Sequence, residues 1–167
     1  MIPSNINTKI LVYEDRVKEW FLEVGRKLKQ DNEAGFIILQ VALSYIEGNQ
    51  QYRKGKSSDR KSKEFFKEGM KQIFPEIIKT ENADTLLNMF YKQVRCGLFH
   101  DGITGRFVTI SGEFLNALEI SDIEMKINPH RLLDGIIEDF DNYIILLKDE
   151  KNLVLRRNFE VRFETTG

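Results

Sequence analysis

An arginine and a histidine stand five positions apart within residues 91–102, YKQVRCGLFHDG, and their side chains have complementary chemistry. The guanidinium of Arg95 is always charged and fork-shaped, which suits it to binding a phosphate and stabilising charge that develops there. Histidine is the side chain whose ordinary pKa lies nearest neutrality, which suits His100 to proton transfer. Because RNA supplies its own nucleophile, the 2′-hydroxyl, the chemistry of this pair is sufficient to cleave RNA without a metal ion or a cofactor.

Helical geometry sets a condition on this pair. Positions five apart on an ideal α-helix differ in direction by roughly 140°, so Arg95 and His100 share a face only if the helix unwinds between them. Gly97 and Gly102 permit such unwinding. A second interpretation stays open, because basic side chains at the end of a helix also interact favourably with its last carbonyl groups.

The spacing of Arg95 and His100 at the end of an amphipathic helix resembles the motif of the HEPN superfamily, an arginine followed four to six residues later by a histidine. The resemblance implies a helical bundle that associates with RNA. It implies a homodimer in which two Arg–His pairs face each other across a two-fold cleft. It also implies a metal-independent endoribonuclease of a prokaryotic defence or toxin system, with an antitoxin or another protein as a partner.

Two further residues bear on this resemblance. Glu47 lies near the end of the predicted second helix, where HEPN proteins often hold an acidic residue that faces the pair. There it would orient Arg95 or hold the ring of His100, although an ordinary solvated or ion-paired glutamate is the alternative. Cys96 departs from the family, which commonly has a polar residue after the arginine. A nucleophilic Cys96 paired with His100 is a further alternative, but no third orienting group is evident.

Residues 51–71 form a local basic cluster. They contain eight lysines and arginines and three acidic residues, in a chain whose formal net charge is -1. Such a cluster predicts contact with the RNA backbone through five basic residues: Arg53, Lys54, Lys56, Arg60 and Lys61. A solvated charged face is the alternative. Phe65 and Phe66 lie within the cluster and would either stack on bases or pack into the bundle.

The rest of the composition excludes several classes of function. One cysteine can form neither an internal disulfide nor a cysteine-based zinc site, which predicts no metal site and a reducing, cytoplasmic location. No glycine-rich phosphate-binding loop and no dinucleotide-binding motif is present. No apolar run approaches the roughly 20 residues that span a bilayer, and the N-terminus lacks the apolar run of a signal peptide.

Hydrophobic periodicity predicts the elements that position these residues. Apolar residues recur at helical spacing over about 10–30, 33–51, 57–74, 83–99 and 129–149. The prediction is a single, mainly α domain over residues 1–167, an HEPN-like bundle of four to five helices.

Two segments depart from the helical pattern. Residues 106–110 and 123–127 alternate like strands and predict a small antiparallel β-hairpin within an insertion at about 104–127. The tail from 153 to 166 alternates loosely, which indicates an edge strand or a surface arm. A bundle of this kind also fits a non-catalytic dimerisation or partner-binding module, or more weakly a small-molecule-binding bundle, and these alternatives to the ribonuclease stay open.

Overall fold

A computed structural model of the protein describes residues 5–79, 81–121 and 123–166. The outermost positions of the predicted domain, residues 1–4 and 167, lie outside the described residues, as does residue 122 of the predicted insertion. The prediction of a mainly helical fold is confirmed. The helices are α1 (Ile6–Val17), α2 (Glu23–Leu28), α3 (Gly35–Lys54), α4 (Ser62–Ile73), α5 (Ala83–Phe90), α6 (Pro129–Lys148) and α7 (Leu153–Thr165).

Shorter helical segments join or extend these helices. A π-helical turn, Lys18–Leu22, connects α1 to α2, and a 3-10 helix, Pro75–Lys79, follows α4. A second π-helical stretch, Tyr91–Asp101, continues α5 without a break and is called the π-segment below. The sequence-based helices therefore begin and end within a few residues of the observed ones, except that helix α4 begins at Ser62 rather than near residue 57.

Helix α3 lies at the centre of the molecule and contacts α2, α4, α6, α7 and the π-segment. Its run of apolar residues on nearly every side requires such a position, because each face needs a partner. Each fully buried apolar side chain stabilises the fold by about 1.5–3 kcal/mol relative to an exposed one. The buried apolar residues of α3 are Ile38, Leu39, Ala42, Leu43, Tyr45 and Ile46.

In chain order, a small three-stranded sheet follows the π-segment and precedes α6. Its strands are β1 (Val108–Ile110), β2 (Leu118–Ile120) and β3 (Met125–Ile127), in the order β1-β3-β2. Strand β3 pairs in parallel with β1 and antiparallel with β2. The predicted antiparallel hairpin is therefore wrong. The chain reverses direction once between β1 and β2 and again between β2 and β3, so β3 runs in the same direction as β1. The two predicted strands do pair, but they run the same way.

The tail is also not as predicted, since it forms helix α7 rather than a strand or an arm. Phe159 of α7 is fully buried, and the guanidinium of Arg156 donates to the Leu147 carbonyl and to the Asn7 side chain. Residues 156, 159 and 163 recur at helical spacing, and this periodicity outweighs the short alternation at 159–163. Within the described parts of the chain, none of the helices combines the length and the apolarity that crossing a membrane requires.

Candidate functional site

The π-segment decides how Arg95 and His100 are placed relative to each other. Hydrogen bonds in a π-helix run from residue i to i+5, so one turn takes between four and five residues. Positions 99 and 100 therefore follow position 95 by about one turn, on the same side of the helix. The angle of roughly 140° that an α-helix would put between Arg95 and His100 is not present, because this segment is a π-helix with more residues in each turn. Val94 and Leu98 of the same segment are buried in the core.

Close packing at Gly97 accompanies this wider helix. A Cβ atom at this position would lie 2.5 Å from the carbonyl oxygen of Ile103, which is closer than such atoms approach in proteins. The chain after the helix therefore folds back directly over Gly97. Gly102 ends the helix with φ of 73°, a left-handed conformation that glycine adopts without steric cost.

Arg95 is held by an ion pair and by two aromatic rings. Its Nη2 donates to Oε2 of Glu47 at 3.0 Å, and 20% of the arginine side chain and 13% of the glutamate side chain are exposed. The guanidinium carbon lies 4.8 Å from the ring centre of Phe99 and 5.5 Å from that of Tyr91. No other hydrogen bond of this guanidinium is seen within the described ranges, so most of its N–H donors remain for a ligand.

Glu47 is the centre of a hydrogen-bond network. Ser58 Oγ donates to Glu47 Oε1 and Ser62 Oγ donates to Oε2, both at 2.7 Å. Tyr91 Oη lies 2.9 Å from Ser62 Oγ, and it is the donor because the serine proton is directed at the glutamate. With Arg95, this carboxylate accepts three hydrogen bonds, which fixes its position. The network joins α3, α4, the loop before α4 and the π-segment.

His100 is exposed, and among the residues that the structure describes its ring makes no hydrogen bond. The imidazole is therefore open to solvent and to a ligand. The predicted pairing of Glu47 with Arg95 is present, whereas no hydrogen bond or ion pair joins Glu47 to the ring of His100 among the described residues. Cys96 is partly buried and lines a groove of about 420 Å³ together with Tyr91 and Lys92.

The five predicted RNA-binding residues fall into two groups. Arg53 donates to both carboxylate oxygens of Asp139, at 3.0 and 2.9 Å, and its guanidinium carbon lies 4.4 Å from the Tyr143 ring centre. Lys54 forms an ion pair with Glu68. Both residues are therefore already paired within the fold. The other three residues are exposed: Lys56, Arg60 and Lys61. They lie in the loop that connects α3 to α4.

The loop of residues 55–61, called the basic loop below, is anchored beside Arg95. Ser58 is buried, and besides the bond to Glu47 its backbone N–H donates to Oε1 of Gln51 at 3.3 Å. Ser58 thus ties the loop to Glu47, whereas Lys56 and Lys61 line a depression with Arg53 and Lys54. Sequence reasoning missed Ser58, Ser62, Tyr91 and Phe99. The sequence did contain one signal for the serines, because Ser58 and Ser62 lie four positions apart within the basic cluster.

The other histidine belongs to a different surface. His130 begins α6, and its ring lies against Gly112 in a depression of about 480 Å³ that Ser111 and Glu113 also line. Neither Arg95 nor His100 lines this depression. Over residues 5–79, 81–121 and 123–166, no group of three or more His, Cys, Asp or Glu side chains is arranged to hold a metal ion.

Comparison with known proteins gives no further guide to the site. No family model, no curated protein and no solved structure matches this chain. The assignment of function therefore depends on the side chains of the Glu47–Arg95 network, His100 and the basic loop.

Proposed function

We propose that this chain is a cytoplasmic, HEPN-like, RNA-associated protein that acts as a metal-independent endoribonuclease, in a prokaryotic defence or toxin system with a protein partner such as an antitoxin. Arg95 binds the scissile phosphate, His100 transfers the proton and Glu47 positions Arg95. The observation that supports this proposal best is the ion pair of Glu47, on α3, with Arg95, which lies on a π-segment whose wider turn puts position 100 on the same side as position 95.

The reaction proposed for this site is an internal transfer at phosphorus. The 2′-hydroxyl of RNA loses its proton to an imidazole and attacks the adjacent phosphorus, and the 5′-oxygen leaves and takes up a proton. Arg95 stabilises the charge that develops on the phosphate oxygens. The products are a 2′,3′-cyclic phosphate and a 5′-hydroxyl. Each chain brings one His100, so the proposed homodimer supplies both the base and the acid, one from each subunit.

The basic loop binds the rest of the RNA strand in this proposal. Lys56, Arg60 and Lys61 are exposed, and Ser58 ties the loop to Glu47, so the strand extends from Arg95 across these side chains. In this proposal Arg53 and Lys54 do not contact the RNA directly. Their ion pairs with Asp139 and Glu68 stabilise the end of α3 from which the basic loop begins. Binding through backbone charges weakens steeply as the salt concentration rises.

A second candidate is a non-catalytic module that dimerises or binds a partner protein. The observation that favours it is a set of apolar side chains that are about three-quarters exposed, Trp20, Leu153 and Val154. Aromatic side chains such as Trp20 are enriched in protein interfaces. In that case Arg95 and Glu47 serve as a structural ion pair only.

RNA cleavage in the presence of a chelator separates the two candidates. We expect wild-type protein to cleave single-stranded RNA, and Arg95→Ala and His100→Ala each to lose at least about 100-fold in rate. The matched controls are Arg106→Ala and His130→Ala, which alter an exposed arginine and the other histidine. Circular dichroism checks that each variant is folded. No cleavage by folded wild-type protein, or equal cleavage by all four variants, supports the binding module.

A further inference from the structure

Phe99 is an aromatic side chain left in solvent beside the candidate site. It is 44% exposed, although the preceding residue, Leu98, is almost fully buried. Phe65 and Phe66, the aromatic residues within the basic cluster, are both buried and are not free to stack on a base. The ring is therefore accessible to a ligand that binds beside Arg95 and His100.

The ring of Phe99 packs against the guanidinium of Arg95. The guanidinium lies 4.8 Å from the ring centre, within the range of a cation–π interaction. Glu47 holds the same guanidinium by its ion pair, so the ring belongs to a surface that is ordered before any ligand arrives. Phe107 is 54% exposed but has no guanidinium over its ring among the described residues.

We propose that Phe99 is a stacking platform for one base of single-stranded RNA, next to the phosphate that Arg95 binds. This inference rests on the proposed function, because it assigns an additional role within the same site. Unpaired bases stack on aromatic side chains and on arginine planes, and such stacking tolerates any base because each has a flat π-face. The ring lies about one helical turn from Arg95 and directly precedes His100. A stacked base would therefore fix the strand where phosphate and imidazole meet.

The test measures binding of a short single-stranded oligonucleotide in which fluorine replaces every 2′-hydroxyl, so that cleavage is impossible. Phe99→Leu keeps an apolar side chain but removes the ring, and we expect it to weaken binding about tenfold. Phe99→Tyr keeps the ring and should bind about as tightly as wild type. Phe107→Leu is the matched control and should leave binding unchanged. Replacing each nucleotide in turn by an abasic unit should weaken wild-type binding most at one position, and Phe99→Leu should remove that effect.

Three results would overturn the stacking role: wild-type affinity in Phe99→Leu, equal losses in Phe99→Leu and Phe107→Leu, or a change of sedimentation mass in Phe99→Leu. The last would assign Phe99 to an interface between two copies of the chain. Because binding is measured without cleavage, the two proposals fail separately. If Phe99→Leu binds about ten times more weakly but wild type does not cleave RNA, the stacking role stands and the nuclease is rejected. If wild type cleaves RNA but Phe99→Leu binds as tightly as wild type, the nuclease stands and the stacking role is rejected.

Discussion

At the scale of single residues, Arg95 is constrained from three directions, by the carboxylate of Glu47 and by the rings of Phe99 and Tyr91. These contacts orient the guanidinium in advance, which would reduce the entropy cost of the phosphate binding proposed for it. The motif was visible in the sequence as the pair Arg95 and His100. The sequence analysis named Glu47 but not Tyr91 or Phe99, although both lie four positions from Arg95, a spacing that makes side chains neighbours on a helix.

Lysine at position 95 tests whether the planar fork matters or only the charge. Arg95→Lys keeps a positive charge near Glu47 but loses the paired N–H donors that match a phosphate. We expect the cleavage rate to fall about tenfold, less than in Arg95→Ala. Initial rates with chelator present measure this. Equal rates for Arg95→Lys and wild type would mean that the fork has no role.

Glutamine at position 47 tests the support of Arg95. Glu47→Gln preserves the size of the side chain but removes the charge that pairs with Arg95 and accepts from Ser58 and Ser62. Because the pair is mostly buried, we expect a loss of about 1–3 kcal/mol in the free energy of unfolding. We also expect a lower cleavage rate with little change in KM. Urea titration and steady-state kinetics measure the two effects, and a variant as stable as wild type contradicts the structural part.

At the scale of elements, the π-segment is the feature that sequence reasoning predicted only in part. A helix over 83–99 was predicted, with unwinding near Gly97 as a condition that the glycines permit, but an apolar stripe over so few turns does not separate an α-helix from a π-helix. The close approach of the Ile103 carbonyl to Gly97 depends on how the chain folds back after Gly102, which the local pattern of residues does not specify. The parallel pairing of β1 with β3 was missed for a similar reason, because strand order depends on β2 and not on local alternation.

Alanine at position 97 tests the close approach at the π-segment. The added Cβ would lie 2.5 Å from the Ile103 carbonyl oxygen, so either the helix or the loop must move. We expect Gly97→Ala to lower the free energy of unfolding by about 1–3 kcal/mol and to reduce cleavage by displacing His100. The control is Gly48→Ala in α3, where an added Cβ meets nothing within 4 Å. Similar urea midpoints for the two variants would contradict this account.

At the scale of the whole molecule, the candidate site lies where α3, the basic loop, α4 and the π-segment meet. The helical composition and its periodicity predicted most of these elements, because amphipathic faces are a local property of the sequence. Their meeting at Glu47 is a property of the packed bundle, since residues 47, 58, 62 and 95 come together only through tertiary contacts.

The core also predicts how stability depends on pH. Burial is the main cause that raises the pKa of three core tyrosines, Tyr13, Tyr45 and Tyr143. These side chains stay neutral in the folded protein but ionise near pH 10 once unfolded, at about their ordinary pKa. Their contribution is therefore complete below about pH 10 and is lost as the pH rises above it. Hydrogen bonds from Lys9 to Glu160 and Glu164 raise the pKa of Lys9 and act in the same direction.

Urea midpoints measured between about pH 8 and pH 11 test this dependence. We expect a plateau at the lower end and a steady fall at the upper end. Tyr13→Phe removes one of the buried groups, so its midpoint should fall less over the same interval. A wild-type midpoint that stays level up to the highest pH, or an equal fall in Tyr13→Phe, would contradict the assignment.

The measurement that tests the joint action of Arg95 and His100 most directly is the chemistry of the cleaved ends. The substrate is a DNA strand that contains a single ribonucleotide, incubated with chelator and analysed by mass spectrometry. We expect cleavage only on the 3′ side of the ribonucleotide, giving a 2′,3′-cyclic phosphate and a 5′-hydroxyl, at a rate that falls at least about 100-fold in His100→Ala. Cleavage at deoxynucleotides, a 5′-phosphate product, or an unchanged rate in His100→Ala would contradict the assignment.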